Sequence, residues 1–202
     1  MVKKLAIFAS GSGSNFEAIV QAVQSGRLGG VEAALLVCDK PGAKVLERAA
    51  RLGIEAFVFE PKAYPDKAAF ETEIVAELQR RGVSLVVLAG YMRLVGDTLL
   101  SAYEGSIINL HPSLLPAFTG KDAIGQALAY GVKLTGVTVH FVDAGLDTGP
   151  IIAQIPVEVH EDDTAGSLAA RIHEVEHGLL VQVIGWLADG RVRLQGRRVL
   201  LT

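Results

Sequence analysis

Asn109 and His111 stand two residues apart in Asn109-Leu110-His111-Pro112-Ser113-Leu114-Leu115-Pro116, and Asp147 lies further on in Gly145-Leu146-Asp147-Thr148-Gly149. An amide, an imidazole and a carboxylate are the minimum set for moving an acyl group onto an amine without a metal or a covalent intermediate. Acyl transfer places negative charge on the oxygen of a tetrahedral adduct, and a fixed amide donor such as Asn109 can hold that charge. An unperturbed imidazole titrates near ~6.5, so His111 can carry a proton at working pH, and a neighbouring carboxylate favours its charged form. Asp147 is the candidate carboxylate. Residues two apart on an extended strand point the same way, which sends Asn109 and His111 into one cavity and Leu110 to the opposite side. Pro112 disfavours helical geometry at His111 and ends any β ladder there. Both polar residues are therefore expected at the carboxyl end of a strand, the edge where open α/β sheets bind ligands. The same Asn-x-His before a proline also fits a loop whose side chains satisfy backbone groups, and the spacing alone leaves both readings open.

The elements that would carry these residues follow from hydrophobic patterning. Short Val/Ile/Leu-rich runs at Leu5 to Ala9, Ala33 to Cys38, Ile54 to Phe59, Leu85 to Ala89 and Ile107 to Leu110 alternate with helical patterns, which implies βαβ units with right-handed crossovers. Phe16, Ile19, Val20 and Val23 form an i, i+3, i+4, i+7 stripe on a first helix that ends near Gly26. A second helix spans about Lys44 to Leu52 with Gly53 as its stop, and a third about Asp66 to Arg81 with Gly82 in the same role. Val137 to Val142 and Ile151 to Val159 are adjacent strands whose glycine-rich connection, holding Asp147, fits an antiparallel hairpin. The last helix, Thr164 to Ala188, carries Leu168, Ile172, Val175, Leu179, Val183 and Leu187 on one face, and Arg191 to Leu200 makes a small terminal ribbon. The fold class expected is α/β: a single Rossmann-like domain over residues 1–202, with a mostly parallel twisted sheet, helices on both faces and a C-terminal antiparallel β portion.

Composition narrows the function classes. A chain of 202 residues with 50% hydrophobic content and 22 glycines suits one sizeable domain around a buried parallel sheet. A formal charge of -3 leaves no electrostatic footprint for nucleic acid. Cys38 is the only cysteine, so no internal disulfide can form and a four-thiolate zinc site is excluded. The apolar piece after Lys3-Lys4 is too short for a signal sequence and no run approaches membrane-spanning length, so a cytoplasmic protein is expected.

Three further motifs suggest ligands. Ser10-Gly11-Ser12-Gly13-Ser14-Asn15 joins the first strand to the first helix, where unpaired N–H groups and the helix dipole attract anions. It matches the dinucleotide fingerprint only in part, because Phe16 occupies the place of the third glycine and no Walker lysine follows. One terminal phosphate fits better than a pyrophosphate, and a turn without a ligand is the plainer alternative. In the reading as a non-catalytic nucleotide-binding module, Asp39 after the second strand is the ribose-binding acid. Gly90 to Val95 follows a buried strand and, on its own composition, fits a helix-initiating loop. His173-Glu174-Val175-Glu176-His177 matches H-E-x-x-H, which on a helix turns both histidines to one side as zinc hydrolases require. Val175 belongs to the apolar stripe, however, and no histidine remains downstream as a third ligand, so no metal is expected. His140, inside an alternating strand, fits either a satisfied structural histidine or a neighbour of His111.

The run Asn109 to Pro116, with Gly120, His140-Phe141-Val142 and Leu146-Asp147-Thr148-Gly149-Pro150, resembles the signature of the folate-dependent formyltransferases, and the likeness extends over nearly the whole chain. The resemblance implies an enzyme that transfers formyl from 10-formyltetrahydrofolate to the amine of glycinamide ribonucleotide in purine biosynthesis, with Asn109, His111 and Asp147 catalytic and no metal. It implies a phosphate- and nucleotide-binding half at 1–105 and a catalytic and folate-binding half at 106–202. It assigns Gly13, Ser14, Asn15 and Glu176 to the ribonucleotide. Met92, Arg93, Leu94, Val95 and Asn109 go to the folate, with Lys67 standing where relatives carry an arginine near that ligand. The partners implied are these small molecules, with no nucleic acid and no membrane, acting on a monomer or homodimer. Relatives that formylate transfer RNA or hydrolyse formyl-folate share the catalytic set but carry an additional domain, for which this length leaves no room; another acceptor is the alternative.

Overall fold

The computed structural model describes residues 2–202. The chain clusters into two compact units, one ending at Ile108 and the other beginning at Asn109. The first holds β1 (Lys3–Phe8), α1 (Ser14–Gln24), β2 (Val31–Cys38), α2 (Lys44–Leu52), β3 (Ala56–Val58), α3 (Lys67–Arg80), β4 (Leu85–Leu88) and α4 (Asp97–Ala102). Strand β5 (Ile107–His111) begins in the first unit and ends in the second. The second holds α5 (Ala123–Tyr130), β6 (Leu134–Phe141), β7 (Ile151–Glu158), α6 (Ala165–Ala188), β8 (Val192–Gln195) and β9 (Arg198–Leu201). Seven strands form a sheet in the order β3-β2-β1-β4-β5-β6-β7. β2 and β4 flank β1 in parallel, β3 is parallel to β2, and β7 is antiparallel to β6. This is the expected α/β fold with a C-terminal antiparallel portion.

In the first unit the strands are continuous apolar runs because both of their faces are covered: Leu5, Ala6, Ile7 and Phe8 of β1 are fully buried, as are Val86 and Val87 of β4. Local chemistry ends the helices. Asp66 starts α3 by accepting from the Ala69 N–H at 2.8 Å. Gly82, at φ 69°, closes it, with its own N–H on Gln79 O (3.0 Å) and that of Val83 on Leu78 O (3.0 Å). A left-handed residue here satisfies two orphan carbonyls, and glycine adopts that conformation without a Cβ penalty.

The order of winding is what matters for ligands. The chain runs from β1 out to β2 and β3, then returns to place β4 on the other side of β1. The carboxyl ends of β1 and β4 therefore lie side by side where the winding reverses, the place at which doubly wound sheets bind ligands. Backbone pairing continues past the strands, from Ala89 N–H to Phe8 O (2.9 Å) and from Ser10 N–H to Gly90 O (3.0 Å). The glycine loop after β1 and the Gly90 to Gly96 loop after β4 are neighbours as a direct result.

In the second unit β6 is buried from Thr135 to Phe141, and a register shift between Val139 and His140 turns the strand at the histidine. Leu168, Ile172, Leu179 and Val183 of α6 are buried, as the stripe requires. Val175 and Leu187 are half-buried instead, and Glu176 is buried at 5% exposure, so the inner face is rotated toward the acid. No helix among the described residues is long and apolar enough to cross a membrane.

Three local expectations differ from the structure. β3 is three residues rather than the apolar run Ile54 to Phe59, and neither α4 nor α5 is anticipated by a periodic pattern. α4 depends on a distant cap: Glu71 of α3 accepts from the N–H groups of Gly96 (2.6 Å) and Leu99 (3.3 Å). Within the hairpin, a methyl group on Gly136 would fall 2.2 Å from the Ile155 carbonyl oxygen and 2.6 Å from Leu114 Cδ2. Because the first of these neighbours is backbone, Gly136→Ala is expected to cost about 2 kcal/mol of stability, in the range of overpacking; a lowered urea midpoint at unchanged slope checks it.

Candidate active site

Asn109 and His111 occupy the last turns of β5, where Pro112 stops the strand, and Asp147 sits in the connection between β6 and β7. The backbone of that connection is tightly determined. Asp143 Oδ1 accepts from Gly145 N–H (3.0 Å) and Thr148 Oγ1 (2.6 Å), and Arg197, between β8 and β9, donates to the Thr148 carbonyl at 2.7 Å. Asp147 itself is in the left-handed region at φ 55°, which aspartate tolerates better than most residues. A side chain at position 149 would meet the Phe141 carbonyl oxygen at 1.7 Å, so only glycine can pass there.

This loop delivers a carboxylate that is 9% exposed. Asp147 Oδ2 accepts from Gly120 N–H at 2.7 Å and lies 3.5 Å from His111 Nδ1. On the other edge of the imidazole, His111 Nε2 is 2.8 Å from the Phe118 carbonyl. A carbonyl can only accept, so Nε2 carries a hydrogen, and Nδ1, which faces the carboxylate, is the nitrogen free to gain and lose one. At 3.5 Å the Nδ1 to carboxylate separation is within ion-pair range and longer than an ordinary hydrogen bond.

His140 lies between Asn109 and the Phe141 carbonyl. Its Nδ1 is 2.7 Å from the Phe141 carbonyl, so Nδ1 holds the hydrogen and Nε2 presents a lone pair to Asn109 Nδ2 at 3.1 Å. Burial, opposed by the Phe141 carbonyl and the Asp147 charge, lowers the His140 pKa below its ordinary value and keeps the ring neutral. The 3.9 Å approach of His140 Nε2 to Asp147 Oδ1 is then a contact of a neutral ring with a carboxylate, and no ion pair. The Asn109 amide is oriented with nitrogen toward the histidine, which leaves its second N–H to meet a developing negative charge.

The loop between β5 and α5 supplies the two backbone groups, Phe118 O and Gly120 N–H, that hold the imidazole and the carboxylate. It is braced from β6 and β7: Thr138 Oγ1 donates to Ser113 O (2.6 Å) and accepts from Leu115 N–H (3.1 Å), and Gln154 Nε2 donates to Leu115 O (2.9 Å). Ser113, fully buried, donates to Ala117 O at 2.6 Å, so its hydroxyl closes the loop.

In the first unit, α1 begins at Ser14 with Gly13 before it at φ 76° and no side-chain cap, so the first N–H groups of the helix point into the loop. A methyl group on Gly13 would lie 2.4 Å from Val45 Cγ2 and 3.0 Å from Val45 Cα, and α2 also holds the loop through Val45 N–H to Gly11 O (3.1 Å). Ser14 is half-buried and Asn15 buried. Phe16, in place of a third glycine, is part of the core. Across the sheet edge, Met92 and Leu94 expose 66% and 59% of their surface, unusual for large apolar side chains and suited to a flat heterocycle. Arg93 is exposed and Val95 half-buried. Lys67 donates its Nζ to the Leu94 carbonyl at 3.1 Å, holding this loop from α3.

The formyl transferase family model matches residues 3–184. The chain belongs to that family. Phosphoribosylglycinamide formyltransferase of Bacillus subtilis is 58% identical over 183 residues, 91% of this chain and 93% of that protein. The trifunctional purine biosynthetic protein adenosine-3 of Drosophila melanogaster is 37% identical over 189 residues, 93% of this chain but 14% of that protein. The crystal structure of glycinamide ribonucleotide transformylase 1 from Symbiobacterium toebii superposes with a TM-score of 0.96 at 46% identity, covering 99% of this chain and 94% of that one.

Membership in the formyl transferase family leaves two sequence readings without a place. Asp39 turns its carboxylate toward the protein, one oxygen to Ser10 Oγ and the other to Arg93 Nε at 2.7 Å, which counts against a ribose contact. The H-E-x-x-H spacing on α6 places His173 in solvent and Glu176 inside, and among the described residues no group of three or more His, Cys, Asp or Glu side chains is arranged to hold a metal ion. The groups that sequence reasoning missed are Phe118 O and Gly120 N–H. Backbone atoms leave no residue-type signal, although Gly120 marks the position of one.

The lowered His140 pKa sets a pH dependence. A depressed folded value means that the unfolded chain takes up a proton first, so this contribution to stability is intact above pH 6.5 and is lost as pH falls from there toward the folded value. Melting temperatures measured from pH 8 to pH 5 should therefore fall less steeply in His140→Gln than in the parent; parallel curves would show that His140 is not held neutral.

Proposed function

We propose that the chain transfers the formyl group of 10-formyltetrahydrofolate to the amine of glycinamide ribonucleotide. The observation that carries this reading is the 58% identity with the Bacillus subtilis formyltransferase over more than nine-tenths of both chains. The chemistry of the second unit supports it. The neutral amine attacks the formyl carbon, and the second Asn109 N–H and the His111 Nδ1 proton stabilise the oxyanion. Because the Nδ1 to Asp147 distance exceeds an ordinary hydrogen bond, that proton is available for transfer to the departing folate nitrogen as its bond to the formyl carbon breaks, and the proton shed by the attacking amine returns through water to His111 Nδ1. Asp147 lies beside that nitrogen, and the Phe118 carbonyl, by engaging Nε2, fixes which nitrogen does the work.

The binding roles proposed are those that the family resemblance implies. Gly13, Ser14 and Asn15 receive the phosphate of the ribonucleotide at the start of α1, and Glu176 contacts the same substrate. Met92, Arg93, Leu94 and Val95 take the pteridine against exposed apolar side chains and backbone groups, and Asn109 meets the folate at the formyl group. Lys67 serves the folate through the Leu94 carbonyl that it holds. Both substrates are small molecules, and holding them together supplies rate through proximity.

The deciding experiment mixes purified protein with 10-formyltetrahydrofolate, with and without glycinamide ribonucleotide, and follows the folate absorbance. Turnover is expected only with the ribonucleotide; formate release with water alone would replace the transferase reading by a hydrolytic one. Asn109→Ala should lose about 3 kcal/mol of transition-state stabilisation, on the order of a hundredfold in kcat. His111→Ala should fall at least as far with its fold intact by circular dichroism, and a loss confined to KM in either variant would remove that residue from the chemistry.

A further inference from the structure

Asp39, the residue immediately after β2, is exposed by only 8% of its side chain, although it sits at the ligand edge of the sheet. Its carboxylate joins two loops of the first unit. Oδ1 accepts from Ser10 Oγ, at the head of the glycine loop, and Oδ2 accepts from Arg93 Nε at 2.7 Å, in the loop after β4. Ser10 in turn accepts from the Met92 N–H at 3.0 Å and donates its own N–H to the Gly90 carbonyl at 3.0 Å. Serine, aspartate, arginine and the Met92 peptide thus form a ring of three hydrogen bonds that the covalent Met92–Arg93 link closes. The opposite margin of the same loop is tied back to α3, by Lys67 to Leu94 O and by Glu71 to the Gly96 N–H. The charged link between the glycine loop and the Met92 to Val95 segment runs through Asp39.

We propose that Asp39 is a positioning residue that couples the two ligand loops, so that occupation of one prepares the other. The inference rests on the assignments under Proposed function, phosphate to the glycine loop and pteridine to Met92–Val95. A ligand that fixes Ser10 to Asn15 also fixes Ser10 Oγ, hence the carboxylate, hence the Arg93 side chain and the Met92 peptide. The second ligand then meets a loop already ordered, and the coupling must be reciprocal. The acid that sequence placed on a ribose instead transmits order between two binding loops.

Asp39→Asn tests this with little change in shape. The amide oxygen can still accept from Ser10, but its nitrogen then faces Arg93 Nε, donor against donor, and the ring opens at one bond. Binding of glycinamide ribonucleotide is measured by calorimetry with and without saturating tetrahydrofolate, which carries no formyl group. In the parent, tetrahydrofolate should tighten the ribonucleotide about fivefold, the low end of ordinary coupling. In Asp39→Asn that ratio should fall to about one, with both KM values raised and kcat changed less than twofold. Ser10→Ala opens the ring from the other side and should abolish the ratio equally, the double variant being no worse than either single one. A merely structural Asp39 would lower the melting temperature and the active fraction while leaving the ratio intact. That result, or a parent ratio of one, overturns the inference. The wild-type turnover assay judges the formyl-transfer reading separately, because the coupling ratio is read from binding alone.

Discussion

A carboxylate held almost entirely away from water must find donors, and the second unit is organised around that requirement at Asp147. The desolvation cost of an unpaired carboxylate is several kcal/mol or more, so the Gly120 N–H, with the His111 ring 3.5 Å away, is a condition of its burial as much as an element of chemistry. Each partner is held in turn by backbone: Gly120 by the loop that Thr138, Gln154 and Ser113 brace, His111 by the Phe118 carbonyl. The scaffold thereby answers a folding problem, where to put a negative charge, with a fixed tautomer of the neighbouring imidazole.

Asn109 shows the same logic at one remove. An amide can face either way at nearly equal energy, and which atom meets the substrate decides whether it can stabilise an oxyanion. The choice is made by His140, a buried neutral ring whose own proton is committed to the Phe141 carbonyl. The register shift at this residue, where β6 departs from regular pairing with β7, sits at the point where the strand must aim the ring.

Much of this was legible in residue order. Period-two placement of Asn109 and His111, the stop at Pro112 and the strand-to-helix glycine loop depend on short-range stereochemistry, which sequence carries directly. What sequence did not carry were the features made by distant partners. α4 is six residues long and α5 eight, both too short to be stable by propensity, and α4 exists where Glu71 supplies its cap from another helix. Asp39 has the residue type and position of a ribose-binding acid, and only the positions of Ser10 and Arg93 show that its carboxylate faces those two side chains. H-E-x-x-H on α6 failed for a related reason: the burial of Glu176 turns the helix so that one histidine of the pair faces solvent.

The crowding at Gly149 has a consequence for how such an enzyme could be altered over generations. With the Phe141 carbonyl oxygen 1.7 Å from where any side chain would begin, the peptide bearing the neighbouring acid has no slack, and substitutions there are closed to drift or to a designer. Change near that carboxylate can come only from the residues that surround it, while the main chain beneath stays as it is.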